Sequence, residues 1–346
     1  MTEHETSPRL KLLGKSLDEL ESIVKERGWP RFVATQLAEW LYKHHACQVD
    51  EMTNLSKKVR KELSSGFTIG WNNPVEERVS SDGTKKYLFP AESGGHVEAV
   101  YIPDGKRHTL CISSQVGCRM GCRFCMTARQ GLQGQLSPGE IINQVRSIPE
   151  RDQITNIVFM GMGEPLDNLD AVLGSLDILT SDYGFGMSPR RITVSTIGML
   201  PALTDFLNNS NCHLAISLHS PFDEERQKLV PAEKTHPIKD IFKEVRNHDI
   251  ENQRRVSIEY IVFRDMNHSQ DHVNALARLL RGIRCRINLI RFHNIPKSKL
   301  QSPNEEELQK FRQALEEKGL ITTIRRSRGK DIHAACGLLS TKKMNP

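Results

Sequence analysis

The sequence predicts an α/β fold, a partial (β/α)6-type barrel preceded by a small helical domain. Three observations predict it. From His108 onward, short apolar runs alternate with helical stretches; those stretches carry helix-start signals; and the first 65 or so residues read as helices. Strands alternating with helices at this spacing imply βαβ units on a parallel sheet, and six or seven units imply a barrel or partial barrel. Its chemistry would then sit at the C-terminal ends of the strands.

In the N-terminal part, Val33, Leu37, Trp40 and Leu41 recur at i, i+4, i+7 and i+8, an apolar helix stripe, with Gly28 and Pro30 punctuating before it. A shorter helix is expected over Leu55 to Leu63, carrying Lys57, Lys58, Arg60 and Lys61. Alone, that basic run reads as a solvated helix face. Residues 1–84 hold 12 basic and 13 acidic residues, so the surplus positive charge lies further on. Extended pieces begin at Lys85 with KKYLFPA and HVEAVYIP. The barrel strands are expected at 108–114, 154–160, 191–195, 213–218, 256–263, 286–292 and 320–326. Between them, Ser137-Pro138-Gly139-Glu140 is a capping box with Pro at the first helical position, and Ser302-Pro303-Asn304-Glu305 repeats the pattern. Gly319 is expected to stop the second of these helices. The expected division is a helical accessory domain over 1–84, connecting strands over 85–103, a barrel over 104–327 and a tail over 328–346.

With 38% hydrophobic and 26% charged residues, disordered and fibrous classes are excluded. A net charge of +6 permits a nucleic-acid partner without requiring one. The opening MTEHETSPRLKLLGK has no apolar signal-peptide core, and no apolar run approaches the roughly 18 residues of a membrane span, so a cytoplasmic location is expected. Eight cysteines in such a setting do not read as a disulfide framework.

Cys118-Arg-Met-Gly-Cys122-Arg-Phe-Cys125 is the strongest signal in the chain, placed directly after the first barrel strand. Three thiolates are one short of closing a zinc site and one short of saturating a four-iron cluster. A structural zinc or plain buried thiols remain open on these residues alone, although no fourth ligand stands at metal-site spacing. The CxxxCxxC spacing, with Phe124 before the last cysteine, resembles the radical SAM superfamily. That resemblance implies a [4Fe-4S] cluster on Cys118, Cys122 and Cys125, its open iron binding S-adenosylmethionine and yielding a 5′-deoxyadenosyl radical. Gly161-Met-Gly163-Glu164-Pro165 is similar to the superfamily's GGEP segment, which meets the methionine amino group. Ser195 and Ser217-Leu218-His219, polar strand termini on their own, become expected cofactor contacts beside the cluster loop.

Cys111 and Cys336 would by themselves be buried small hydrophobes. With their neighbours they resemble the radical SAM RNA adenine methyltransferases of the RlmN and Cfr type: CISSQVGC, MGMGEPL, RRITVSTIGMLP, LAISLHSP, LVP and DIHAACG recur in order. The resemblance covers nearly the whole chain, including EWLYK and MTNLSK in the helical part. It implies that Cys336 takes a methyl group from one S-adenosylmethionine, and that the radical made from a second removes hydrogen from that methyl. The carbon radical then adds to adenine, Glu98 accepts the carbon 2 proton, and Cys111 releases the product through a transient disulfide with Cys336. It implies as partners 23S rRNA before full ribosome assembly, some tRNAs at the adenosine beside the anticodon, and an electron donor such as flavodoxin or ferredoxin; a monomer is expected. Independently, Gly105 to Gly139 holds five basic and no acidic residues, and Lys318 to Pro346 holds seven basic residues against Asp331. Phosphates would approach there.

One departure from the family pattern matters. After Asn288-Leu-Ile, His293 stands where the family has an Asn expected to contact S-adenosylmethionine, with Asn294 beside it. Pro165 favours carbon 2 chemistry, whereas Ser220-Pro221 and Ile197-Gly198 look more like the carbon 8 enzymes. A carbon 8 methyltransferase, a non-catalytic metal-containing RNA-binding protein, and a radical SAM enzyme acting on protein or a small molecule are the competing readings. Cys47, Cys212 and Cys285 have no motif around them and are expected in the core.

Overall fold

The computed structural model describes residues 9–248, 256–335 and 337–340. Cys336 therefore lies outside the described residues. Its centre is a ten-stranded sheet whose spatial order follows the chain. The strands are β1 (Glu76–Val79), β2 (Lys85–Pro90), β3 (His96–Asp104), β4 (Arg107–Cys111), β5 (Asn156–Phe159), β6 (Ile192–Thr196), β7 (His213–Ser217), β8 (Val256–Val262), β9 (Cys285–Arg291) and β10 (Thr322–Ile324). The first four pair antiparallel. From β4 to β10 all pairing is parallel. All seven expected barrel strands are present at their expected places. Arg325, just past β10, reaches Glu259 on β8 at 3.4 Å and the Met160 sulfur, just past β5, at 3.4 Å. The parallel part is thus curled into a partial barrel.

The helices begin with the devices the sequence offers. Ser137 accepts from the Glu140 amide, and Glu140 reaches back to Ser137, opening helix Pro138–Arg146. The last long helix differs from expectation: it starts at Glu305, capped by Asn304 with Glu307, not by Ser302 with Glu305. Pro303 is buried just before that cap and Leu308 is buried four positions after it, the two positions of a hydrophobic staple, which favours the later start. Gly319, at φ +78°, follows the end of this helix as expected.

Helices Leu17–Glu26, Phe32–Tyr42 and Lys57–Gly66 form the N-terminal part, with Val33, Leu37 and Leu41 fully buried or nearly so and Trp40 half-buried. Helix ends at Gly66, in keeping with helices expected over the first 65 or so residues, while Glu76–Val79, inside the 1–84 range, is already a strand of the main sheet. Its Glu-Glu-Arg-Val sequence is an edge strand with no apolar run to announce it. The N-terminal helices share one hydrophobic core with the barrel, from Leu12 through Leu339. Arg146 on the first barrel helix donates to the Ala46 carbonyl at 2.9 Å, and Asn143 donates to the Asn72 carbonyl at 2.8 Å, stitching the two parts. Among the described residues no helix is long and apolar enough to cross a membrane.

Candidate active site

Strand register decides which side chains share the inner face. Paired residues on neighbouring strands point to the same side, and so do residues two apart on one strand. Val100 faces Cys111, Cys111 faces Val158, Val158 faces Thr193, and Ser195 faces Ala215. Ser217 faces Glu259, Glu259 faces Asn288, and Asn288 faces Thr323. One continuous face therefore carries Glu98, Cys111, Ser195, Ser217, Glu259 and Asn288. It is polar, in contrast to the helix-covered outer face. Glu259 accepts from Asn288 at 2.7 Å, and Thr323 donates to Asn288 at 2.8 Å.

The cysteine loop leaves this face at the end of β4. Gln115–Cys118 pairs with Gly131–Gln135 in a small hairpin that the sequence did not announce. Gly117 sits at φ +79°, and a Cβ there would lie 1.8 Å from the Gly131 carbonyl oxygen, so no other residue fits the turn into Cys118. Cys118 and Cys122 are buried and Cys125 is half-buried. The loop is held from two sides: the Arg123 amide donates to the Leu229 carbonyl at 3.0 Å, and the Met126 amide donates to the Gly337 carbonyl of the tail at 2.8 Å.

Burial pushes the Cys118 thiol up to about 12, with Glu164, Cys125 and Asp167 adding to the rise. Cys122 is pushed well above its ordinary value by burial, then by Cys125 and Cys118. The three thiols are thus close enough to influence one another. Yet no three His, Cys, Asp or Glu groups among the described residues converge on a point where a single ion could sit. In an iron–sulfur cluster held by three cysteines each one ligates a different iron, so the sulfurs surround a volume rather than a point. Three thiolates, one short of a closed zinc site, are a donor set that fits a cluster with one iron left open.

The Gly161–Pro165 turn lies directly against the hairpin. A Cβ at Gly163, φ +102°, would come 2.7 Å from the Gln115 side chain. The Glu164 amide donates to Gln115 at 2.8 Å, and Gln115 donates to Asp167 at 2.8 Å. Arg119, next to Cys118, forks onto the same Asp167 at 2.5 and 2.8 Å. Glu164 is buried, and burial pushes its carboxyl up to about 7 against the opposing Thr196 hydroxyl and Ile197 and Leu166 amides. The Ile197 bond, at 3.0 Å, ties the turn after β5 to the end of β6, while the Leu166 bond, at 3.1 Å, closes the turn on itself.

Leu218 and His219 follow β7 and are buried. His219, at φ +60°, packs its ring edge-on to Phe124 of the cysteine loop, 4.6 Å between centroids. Its Nδ1 accepts from the Ile261 amide at 3.0 Å, so the remaining proton is on Nε2. Burial, then the nearby Arg226 guanidinium, pushes its pKa down to about 3, which keeps the ring neutral. His293 lines a cleft with Arg291 and Lys330; burial and then Lys330 and Arg291 push its pKa down.

Glu98 is buried on β3, with one oxygen 2.8 Å from the Lys86 ammonium and the other accepting from the Ser340 amide at 2.9 Å. Burial raises its pKa, and Lys86 opposes the rise. Register places Glu98 one diagonal step from Cys111, on the same face. Cys212 is buried and Cys47 and Cys285 are half-buried.

Three contributions escaped the sequence reading: Lys86, the Gln115–Asp167 clamp and Arg226. Arg226 is wholly buried in helix Asp223–Leu229. It pairs with Glu233 and donates to the carbonyls of Ile197 at 2.8 Å, Ser217 at 3.0 Å and Leu218 at 3.1 Å, thereby holding the ends of β6 and β7 together. Nothing in its sequence context separates it from the solvated charges of the same helix.

The chain is similar to known proteins over its full length. Residues 112–279 match the radical SAM superfamily, and residues 10–69 match the ribosomal RNA large subunit methyltransferase N-terminal domain. A probable dual-specificity RNA methyltransferase RlmN of Phocaeicola vulgatus is 53% identical over 97% of both chains. The dual-specificity RNA methyltransferase RlmN of Syntrophus aciditrophicus is 42% identical over 97% of this chain and 98% of its own. The crystal structure of a radical SAM methyltransferase from Sphaerobacter thermophilus superposes with a TM-score of 0.90 at 38% identity, covering 96% of this chain and all of that one. With the cysteine loop, the glycine turn and the polar inner face already in place, these likenesses show that the chain belongs to the radical SAM superfamily and, within it, to the RlmN family of RNA methyltransferases.

Proposed function

We propose that this enzyme methylates carbon 2 of a specific adenosine in 23S rRNA, and of the adenosine beside the anticodon in some tRNAs, through a methyl group carried on Cys336. The observation that supports it best is the seat of the tail. The carbonyls of Gly337 and Leu339 accept from Met126 and Thr127, immediately after the cysteine triad, while the Ser340 amide donates to Glu98. The residues that follow Cys336 therefore run between the cysteine loop and the buried carboxylate.

Cys118, Cys122 and Cys125 would hold a [4Fe-4S] cluster, and the coordinated thiols would be deprotonated in doing so. With S-adenosylmethionine bound, that group supplies a radical able to remove hydrogen from an unactivated methyl. Such chemistry suits adenine carbon 2, which lies between two ring nitrogens and is too electron-poor for polar attack on a sulfonium. Gly163, Glu164, Ser195, Ser217, Leu218 and His219 would line the S-adenosylmethionine site, with His293 as a further contact. The raised Glu164 carboxyl would take its ionised form beside a cationic amino group. The helical N-terminal part would hold the RNA, which must present an unstacked adenine. An electron donor of the flavodoxin or ferredoxin kind completes the system, acting on a cytoplasmic monomer.

Glu98 would accept the adenine proton as it leaves. Glu98→Gln should lower methyl transfer by about 10²–10⁴ while leaving S-adenosylmethionine cleavage in place. Only the ionised carboxylate can act as base, and its pKa lies above the ordinary 4.5. The rate limb assigned to this group should therefore fall as pH drops through a value higher than that of an exposed glutamate; a pH profile of single-turnover transfer reads it.

The test of the whole reading is nucleoside mass spectrometry. Anaerobically reconstituted enzyme with S-adenosylmethionine, a reductant and unmodified 23S rRNA or tRNA should yield 2-methyladenosine. A product consisting only of 8-methyladenosine would replace it with the carbon 8 reading.

A further inference from the structure

A cleft of about 650 Å3 opens beside the root of the tail, lined by Arg291, His293, Arg326, Arg328, Lys330 and a single acid, Asp82. Most of these charges are already committed. Arg291 forks onto Glu305 at 2.8 and 2.9 Å, and Arg328 pairs with Asp104 at 2.9 Å. Asp82 accepts from the Thr84 and Gly329 amides at 2.9 and 3.0 Å, which help hold it ionised, so a single negative charge stands among four wall cations. Arg326 and Lys330 are exposed, and among the described residues neither has an acidic partner within ion-pair reach. Two uncommitted cations therefore face one concave space that holds a single acid against four cations. The field there is positive enough to help hold the His293 ring neutral.

The position of the cleft is as informative as its charge. Phe292 in its wall packs on Phe263 at 5.2 Å, and Phe263 packs on Phe124 of the cysteine loop at 6.0 Å. Its lining also includes Arg326, Ser327, Arg328 and Lys330, on the chain segment that leads, six residues past Lys330, to Cys336. A group held here stands two rings, Phe292 and Phe263, from Phe124 of the cysteine loop and at the root of the proposed methyl carrier.

We propose that this cleft binds a backbone phosphate of the RNA next to the nucleotide being modified, with Arg326 and Lys330 as its ligands. An isolated carboxylate or a free inorganic phosphate would gain the same two contacts, but only a polyanion that continues past the cleft gains from its siting beside the tail. The proposal rests on the RNA reading above. It adds a fixed point on the strand flanking the target base, so that the base can be turned toward Cys336 while its backbone stays anchored.

The experiment compares reconstituted full-length enzyme with its Arg326→Ala/Lys330→Ala and Arg326→Lys/Lys330→Arg variants. Binding of unmodified 23S rRNA fragment is measured across a salt series, with inorganic phosphate as competitor. The alanine pair should bind RNA on the order of ten- to a hundredfold more weakly, and the slope of log affinity against log salt should shrink by about 1 to 2. The exchanged pair should keep most of the affinity and the slope. S-adenosylmethionine cleavage without RNA should be unchanged in both, and saturating RNA should restore kcat in the alanine pair. An unchanged slope, an equal loss in the charge-keeping pair, or full displacement of RNA by inorganic phosphate at low concentration would overturn the proposal. If the unaltered enzyme itself fails to methylate RNA, the RNA reading fails; if it methylates RNA and the variants match it, only the cleft assignment fails.

Discussion

Cys111→Ala is expected to stop turnover after a single event and leave the protein joined to its RNA. In the proposed cycle the adenine is attached through a methylene to the Cys336 sulfur, and release requires a second sulfur to take that sulfur away. The attacking thiolate forms the Cys111–Cys336 bond, the carbon–sulfur bond to the base breaks, and an external reductant later restores both thiols. Cys111 is placed for this by strand register, at the end of β4 on the inner face and one diagonal step from Glu98. Its removal deletes no ligand of the cysteine triad, so S-adenosylmethionine cleavage should survive. Denaturing electrophoresis of enzyme incubated with labelled RNA should show a shifted, nuclease-sensitive band in stoichiometric yield and essentially no multiple turnover. Normal multiple turnover by this variant would eliminate the carrier-and-resolver scheme. Cys336→Ala, by contrast, should give neither adduct nor product.

The second large effect concerns stability. Arg226→Met should lower unfolding stability by about 3–5 kcal/mol, because it strands the buried Glu233 carboxylate without its cation. Three carbonyls at the ends of β6 and β7 lose their donor in the same stroke. A double change to Arg226→Met/Glu233→Leu should recover much of the loss, since no charge is then left unpaired in an apolar setting. Denaturant melts of the two variants distinguish this from simple loss of packing. Equal stability of Arg226→Met and the parent chain would show that the guanidinium is not the brace described.

The seven parallel strands were legible because they are covered on both sides or on one side and by the barrel interior, which forces runs such as Ile-Val-Phe and Leu-Ala-Ile-Ser. The cysteine triad was legible because metal-binding chemistry dictates residue type at fixed spacing. What escaped was formed by tertiary contact. The Glu76–Val79 strand is charged and finds its place only by pairing with β2. The Gln115–Cys118 hairpin is built from Gly and Gln with an irregular register at Val116 and Gly117, so neither propensity nor alternation marks it. The helix start at Asn304 competed with an equally good box two residues earlier and was settled by the burial of Pro303. Within the site, Glu98 could be reached by likeness to the family, but not its partner Lys86, since the hairpin register that brings them together is a property of the pairing and not of either strand.

Because the order of strands in space is the order in the chain, each new strand can dock on the one made just before it as synthesis proceeds. The sheet grows outward from β1, and no earlier element waits long for a distant partner. The tail breaks this pattern. Residues 337–340 return across the whole barrel to bond with Met126, Thr127 and Glu98, more than two hundred positions earlier in the chain. If Cys336 carries the methyl group as proposed, a nascent chain with its sheet already folded stays chemically silent toward RNA until residues 337–340 have been made and docked.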